Sequence, residues 1–413
     1  MDPAGIGRAR LPGRFWLMMS AAVVSMLGDG VAFAAFPLLA AKLAGANSGL
    51  TVAALFAAGQ LPSLAALHIG VLVDRVDRRR AIRWVETTRG VLLVGFAVLV
   101  ARDHAPPIWT VAATVFLIGL GQVVTDTALQ ASLPLMVADK ELGRANGLLF
   151  SAQHTTEQMA GPALGGVLFA ALIAAPFALD SASFFVAALL LPLAVPAGRS
   201  AGEQPVGRAG FSEDLREGIS YFRSEPLLKM IAAIILAFAF CQAMMIGTLV
   251  VFAKGPLGLG AAGFGLLISV VSVGNVLGGL LGGPVERRWR TDTVLIAGGG
   301  VAALSYMLAG ATTDYLVVGI ALFVEGVAVA VANVATVTAR QKIIPAHLLG
   351  RTFGVFRVLI FGAIPLGALA GGVFVDLGDP RTPLLVAGGL QLLVVSSTGM
   401  VLSRRVAADR RLA

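Results

Sequence analysis

The sequence predicts an all-helical membrane protein of twelve spans in two pseudo-symmetric six-helix bundles, and three observations carry that prediction. Of its 413 residues 57% are hydrophobic and only 13% charged, with a mean hydropathy of +0.87, whereas an average soluble domain is about a quarter charged. Apolar runs near the roughly 20 residues a helix needs to cross a bilayer recur along the whole chain. The two halves also echo each other: Gly70-Val71-Leu72-Val73-Asp74-Arg75-Val76-Asp77-Arg78-Arg79-Arg80 returns 212 residues later as Gly282-Gly283-Pro284-Val285-Glu286-Arg287-Arg288.

The spans are expected at 14–43, 49–73, 81–101, 107–136, 143–173, 176–195, 229–253, 262–284, 292–311, 315–339, 351–375 and 383–403. A lipid-exposed backbone must satisfy its own hydrogen bonds, so segments of this length are helices. Gly278-Gly279 and Gly371-Gly372 then mark close helix packing instead of strands. Neither a short hydrophobic core nor a small-residue cleavage site follows Met1 to Arg14, so the first span reads as a retained helix. After the sixth span the hydropathy collapses over 196–228, a linker in which Phe211 to Phe222 reads as an amphipathic surface helix. This divides the chain into a first bundle, 1–195, and a second, 229–413. Further repeats support one ancestral duplication: Leu142-Gly143-Arg144 with Gly147 returns as Leu349-Gly350-Arg351 with Gly354, and Gly161-Pro162-Ala163-Leu164-Gly165-Gly166 as Gly367-Ala368-Leu369-Ala370-Gly371-Gly372. Weak internal symmetry of this kind is common in secondary transporters, whose substrate sites lie near mid-membrane between repeats.

A net charge of +8 would point to nucleic acid in a soluble protein, but the distribution has another cause. The amino terminus, the alternate loops beginning at Arg75, Lys140, Arg199, Arg287 and Arg340, and the carboxyl tail hold 25 of the 31 Lys and Arg. The intervening loops hold four, Lys42, Arg102, Lys254 and Arg381, while Arg89 and Arg357 lie inside spans. The positive-inside rule therefore predicts a multi-pass protein of the cytoplasmic membrane with both termini and the linker in the cytoplasm, and no nucleic-acid partner. The single cysteine, Cys241, excludes an intramolecular disulfide and reads as a small core residue.

At Gly70, Leu72, Asp74, Arg75, Arg78 and Arg79 the chain resembles the major facilitator superfamily, whose first cytoplasmic loop runs G, x, L, a, D, R, x, G, R, R. Asp77 departs from the usual second glycine, a variant associated with the branch of enterobactin and macrolide exporters. Ala145-Asn146, Gly161-Pro162 with Gly165-Gly166, and Leu179-Asp180-Ser181-Ala182-Ser183-Phe184 extend that similarity. The family's arginine about four residues before a glycine in the fourth span is replaced by Val115 before Gly119, which weakens any proton scheme built on it. The resemblance implies alternating access, a small-molecule substrate, membrane lipid around the protein and a monomer. It also implies that the loop carrying Gly70, Asp74, Arg75, Arg78 and Arg79 latches one conformational state. A carboxylate there is able to hold a helix amino terminus through its dipole and to pair with guanidiniums in one state only. Glu286 with Arg287 is a degenerate second copy.

Intramembrane carboxylates are the candidates for proton coupling or substrate binding, because ionisable groups at that depth are costly and face a cavity or a partner. Asp126 shares a polar stripe with Gly119, Gln122 and Gln130 at spacings of three, four and four. The repeat offset sets Asn333 opposite it; an ion pair with Arg89 is the structural alternative. Asp29 sits one turn after Ser25 in the first span. Removing an unpaired carboxylate from water favours its protonated form, so either aspartate suits loading and releasing a proton. Glu157 shares a face with Gly161 and Gly165, and His154 three residues earlier is its expected partner. Gly161, Gly165 and Gly166 permit close helix packing and Pro162 a bend. Glu325 is a further cavity candidate in line with Asn333 and Thr336, and Arg357 either anchors its helix or meets an anionic substrate. Met244, Met245, Phe238 and Phe240 read as core packing before they read as a drug pocket.

The function expected is proton-coupled efflux of an amphipathic organic compound, a drug, macrolide or siderophore; uptake by proton symport stays open. No catalysis, cofactor or metal is expected. Asp74 to Asp77 and Asp376 to Asp379 share the DxxD spacing of magnesium diphosphate sites in prenyl and phosphatidyl transferases. The charge bias places them on opposite sides of the membrane, so they share no metal. A primary pump would need a Walker loop, which is absent.

Overall fold

A computed structural model of the chain describes residues 11–45, 48–66, Ile69, Val73, 76–103, 105–196, 219–345 and 348–412. Among these residues the secondary structure is helical throughout, without strands. The first half holds α1 (Gly13–Ala44), α2 (Ser48–Gln60, continued as a 3-10 turn over Leu61–Ala65), α3 (Arg78–Asp103), α4 (Ile108–Ser132), α5 (139–171) and α6 (Ala175–Ala194). The second holds α7 (Pro226–Lys254), α8 (Ala261–Arg288), α9 (Thr291–Ala311), α10 (Tyr315–Ile343), α11 (Leu349–Leu377) and α12 (Thr382–Leu412). Ten of these are long and apolar enough to cross a membrane. The other two expected spans are α2, whose apolar stretch is the shorter Gly49–Ala65, and α5. Most of the linker, including 211–218 of the expected surface helix, lies outside the described residues, while 219–222 are described and helical.

α5 is the one span whose form the sequence misses. It runs α-helical over Asp139–Gln153, π-helical over His154–Ala160 and α-helical again over Gly161–Ala171. Pro162 supplies a physical reason: with no N–H it leaves the carbonyl of Gln158 without its donor one α-turn on. Ser272 of α8 fills that vacancy, its Oγ donating to Gln158 O at 2.6 Å, and Ser269 Oγ donates likewise to Met159 O at 2.6 Å. Replacing Ser272 by alanine is expected to cost about 0.5–1.5 kcal/mol, measurable as a lowered unfolding midpoint of the purified protein.

Connectivity places the start of α1 on one face of the bundle, here the near face, and its end on the opposite, far face; later helices alternate. In the first half α1 packs on α5 and α6, and α6 on α3; in the second, α8 packs on α10, α7 on α11, and α9 on α10 and α12. The halves meet chiefly through two helix pairs, α2 with α11 and α5 with α8, and α2 also touches α7. Among the described residues every hydrogen bond between the halves joins the middle or far portions of these helices: Ser269 and Ser272 to α5 near mid-span, and Asp376 to the first turn of α2 at the far end. Glycine makes the approach possible. A Cβ on Gly166 would collide with the carbonyl oxygen of Ala261, and one on Gly372 would lie 2.7 Å from the Cβ of Ala53.

Candidate functional site

The largest concentration of buried charge lies at mid-height in the first half, and Arg89 of α3 is its hub. Its Nη2 donates to Asp29 Oδ1 at 2.6 Å and its Nη1 to Glu86 Oε1 at 3.1 Å. The guanidinium stacks over the Phe184 ring at 3.9 Å, and Thr125 Oγ1 donates to the same Glu86 oxygen. Glu86 and Arg89, three apart on one helix, are both buried. A guanidinium in this setting needs all these partners, because a lone charge removed from water is expensive.

Beside this cluster lies a cavity of about 120 Å³ between α1, α2, α4, α5 and α6. Its walls are apolar, with Phe33, Phe36 and Phe56, while Asp29, Glu157 and Asp180 bring carboxylates to it. Gln122 of α4 donates to Glu157 Oε1 at 3.2 Å, and Gln153 donates to Oε2 at 3.0 Å. Asp180 is fully buried; Ser183 Oγ donates to its Oδ1 at 3.2 Å, whereas its Oδ2 has no partner among the described residues. Arg89 does not line the cavity. The charges that face the space are thus all acidic, and the apolar wall includes Val115.

Several expectations are revised. Arg89 pairs with Asp29 and Glu86, not with Asp126, which forms no hydrogen bond or ion pair among the described residues. Asp126 is half-buried on α4 one turn from Gln122, and Gln130 is exposed. His154 does not pair with Glu157: it packs edge-on against Phe150, ring centroids 4.1 Å apart, and the amides of Gln122 and Gln153 hold the glutamate instead. Glu325 is no part of this cavity. It is fully buried in the second half, accepting from Tyr306 Oη of α9 at 2.6 Å, while Asn333 on the same helix is exposed. Eight residues at 3.6 per turn leave those two about 80° apart around α10. Arg357 is exposed and sits over the Phe361 ring at 5.5 Å. Met244, Met245 and Phe238 are buried in the core.

Gly70, Asp74 and Arg75 lie outside the described residues. Two other members of the loop motif tie down helix ends at the near face: Arg78 Nη1 donates to Ala131 O of α4 at 3.3 Å, and Arg79 Nε to Val195 O after α6 at 2.6 Å. In the second half Lys342 Nζ donates to Glu286 Oε1 at 2.7 Å, joining α10 to α8 at that face. Gly161 and Gly165 lie against Gly30 and Val31 of α1, while Gly166 and the carbonyl of Pro162 meet α8. Sequence reasoning missed Glu86 altogether and cited Asp180 only as part of a family signature. A carboxylate and an arginine three apart inside an apolar span were the signal for the first.

The Major Facilitator Superfamily model matches residues 18–367, and a second match covers 232–411. The chain belongs to the Major Facilitator Superfamily. It is a multi-pass membrane transporter rather than an enzyme. Its relatives within this superfamily include the multidrug efflux pump Tap of Mycolicibacterium fortuitum, 24% identical over 95% of this chain and 96% of that protein. Macrolide efflux protein A of Streptococcus pyogenes is 23% identical over 94% of this chain and 96% of its own length. Among solved structures, a bacterial homologue of the human lysosomal transporter Spinster superposes with a TM-score of 0.74. It has 14% identity and covers 96% of this chain and 97% of that one, a likeness in fold.

Proposed function

We propose that this major facilitator exports amphipathic organic cations across a cytoplasmic membrane in exchange for protons. Alternating access would proceed between a bundle at 1–195 and another at 229–413, joined by a linker at 196–228. The observation that carries the reading is the cavity: phenylalanine walls, three carboxylates facing the space, and the one neighbouring guanidinium already committed to Asp29 and Glu86. Apolar walls bind the body of an amphipathic compound through burial. The carboxylates around the space outnumber the neighbouring cation, so a positive head is selected over a negative one and an amine-bearing compound suits the site better than an anionic siderophore. A proton and an organic cation that neutralise the same carboxylates exclude each other, which is the requirement for antiport.

In this scheme Asp29 and Glu157 bind proton or cargo, and Gln122 and Gln153 hold Glu157 in place. Asp126, unpaired nearby, adds to the acidic field. Glu325 and Asn333 drop out of the coupling set, since neither reaches the cavity. The near face is cytoplasmic by the lysine and arginine bias, and the loop of Gly70, Asp74, Arg75, Arg78 and Arg79 latches the state closed on that side.

Inverted membrane vesicles supply the test. With a panel of fluorescent organic cations, an imposed proton gradient is expected to accelerate transport by the intact protein. Glu157→Gln, which preserves shape but leaves one acceptor oxygen for the amides of Gln122 and Gln153, is expected to lose at least about tenfold of that acceleration, the scale of one lost buried charge interaction. A proton gradient without effect on any cation carried by the intact protein sinks the antiport reading.

A further inference from the structure

The second DxxD motif begins with Asp376, and the structure gives that residue a contact the cavity does not explain. It stands at the far end of α11, and its carboxylate reaches across the junction between the halves to the first turn of α2. Oδ1 accepts from Gly49 N at 3.0 Å and Oδ2 from Leu50 N at 3.1 Å, partners 327 and 326 residues away in sequence. The first turn of any helix has amide protons with no partner inside the helix, and a carboxylate placed there gains both hydrogen bonds and a favourable dipole interaction. One turn earlier on α11, Gly372 lies against Leu50 and Ala53 of α2, so the backbones come close enough for a short side chain to span the gap. Gly49 contributes by having no Cβ, which would sit 2.5 Å from Asp376 Oδ1.

Ordinarily a helix is capped from its own preceding residues. A cap supplied by the opposite half has a different consequence, because it exists only while the two halves are together at that face. Separation of α2 from α11 there strips both amides and the carboxylate of these partners at once. Asp376 carries the only side-chain carboxylate among the described residues that bonds across the halves.

We propose that Asp376 is a positioning residue of the transport cycle, holding the far face closed by capping α2 from α11, and that its release accompanies every opening toward that face. This rests on the alternating-access reading above. It assigns no contact with cargo to Asp376, whose place is on the rim and not in the cavity.

Distance measurement between spin labels tests it on the full-length protein in lipid nanodiscs. Lys42→Cys at the end of α1 and Lys254→Cys at the end of α7 put one label on each half at the far face, both at exposed positions. The native Cys241 is fully buried and stays unlabelled. Asp376→Ala is expected to raise the long-distance, far-open population about three- to tenfold, the effect of removing a charged helix cap. Asp376→Asn, which keeps one acceptor, falls between. Cation binding in the cavity, measured by fluorescence, stays within about twofold once the shift in population is allowed for. Unchanged distance distributions in Asp376→Ala overturn the proposal, and so does a drop in unfolding midpoint without any distance change, which assigns the residue to folding alone. An intact protein showing one fixed distance at every pH and ligand concentration is a separate result: it overturns alternating access itself.

Discussion

Arg89→Ala is expected to be the most damaging single substitution in the first half. The change leaves Asp29 and Glu86 facing each other's charge in the bundle interior without the guanidinium that joins them at 2.6 and 3.1 Å, and removes the cation stacked on Phe184. Breaking a buried ion pair from one side costs about 3–5 kcal/mol, because the remaining charge stays desolvated. Chemical unfolding of the purified protein in detergent reads this directly. The matching control neutralises the whole cluster: Asp29→Asn and Glu86→Gln added to Arg89→Met should recover most of the loss, since well-packed neutral replacements of buried ion pairs are often tolerated. Arg89→Lys should recover less, as an ammonium lacks the planar fork that serves two carboxylates. A cost below about 1 kcal/mol for Arg89→Ala would remove the hub from the account.

Gly166→Ala is the second large effect. Its new Cβ meets the carbonyl oxygen of Ala261, a backbone atom that moves only if α8 moves, so the strain falls on the junction between the halves. Overpacking of this kind costs about 1–3 kcal/mol, which shifts a two-state equilibrium about five- to 150-fold. The expected outcome is a protein that folds but favours separation of α5 from α8 at the far face, read as longer distances between labels on the two halves and as slowed transport. Gly389→Ala in α12, where nothing lies within 4 Å of the added carbon, should leave both measurements unchanged. Equal effects from both glycines would mean that helix flexibility, not contact, governs the junction.

Hydropathy alone gave the helices, because a chain in lipid has few other ways to satisfy its backbone. The repeat of Gly161-Pro162 as Gly367-Ala368 belongs to the sequence alone. Partnerships between helices were not legible there. Whether Arg89 meets Asp126 or Asp29 depends on how α3 is rotated against α1 and α4, and an apolar span with a single arginine fixes no rotation. The π-helical stretch hid another relation: His154 and Glu157 are neighbours in α-register, but the wider turn over His154–Ala160 leaves Glu157 to Gln153 and Gln122. Glu325 looked like a cavity residue because it is acidic and central; its tyrosine partner lies on α9, and nothing in the pattern of α10 names it.

The serines on α8 have a second property that bears on how easily the molecule cycles. Ser269 Oγ lies 2.9 Å from Gly265 O as well as 2.6 Å from Met159 O, and Ser272 Oγ lies 3.1 Å from Ile268 O as well as 2.6 Å from Gln158 O. Each hydroxyl has one proton and two acceptors on offer, one of them in its own helix. Parting therefore strands no donor in hydrocarbon: the proton swings home by a bond rotation, and only the deserted carbonyls seek water. In the alternating-access cycle proposed above, such a junction would act as a reusable fastening, already aligned to close again.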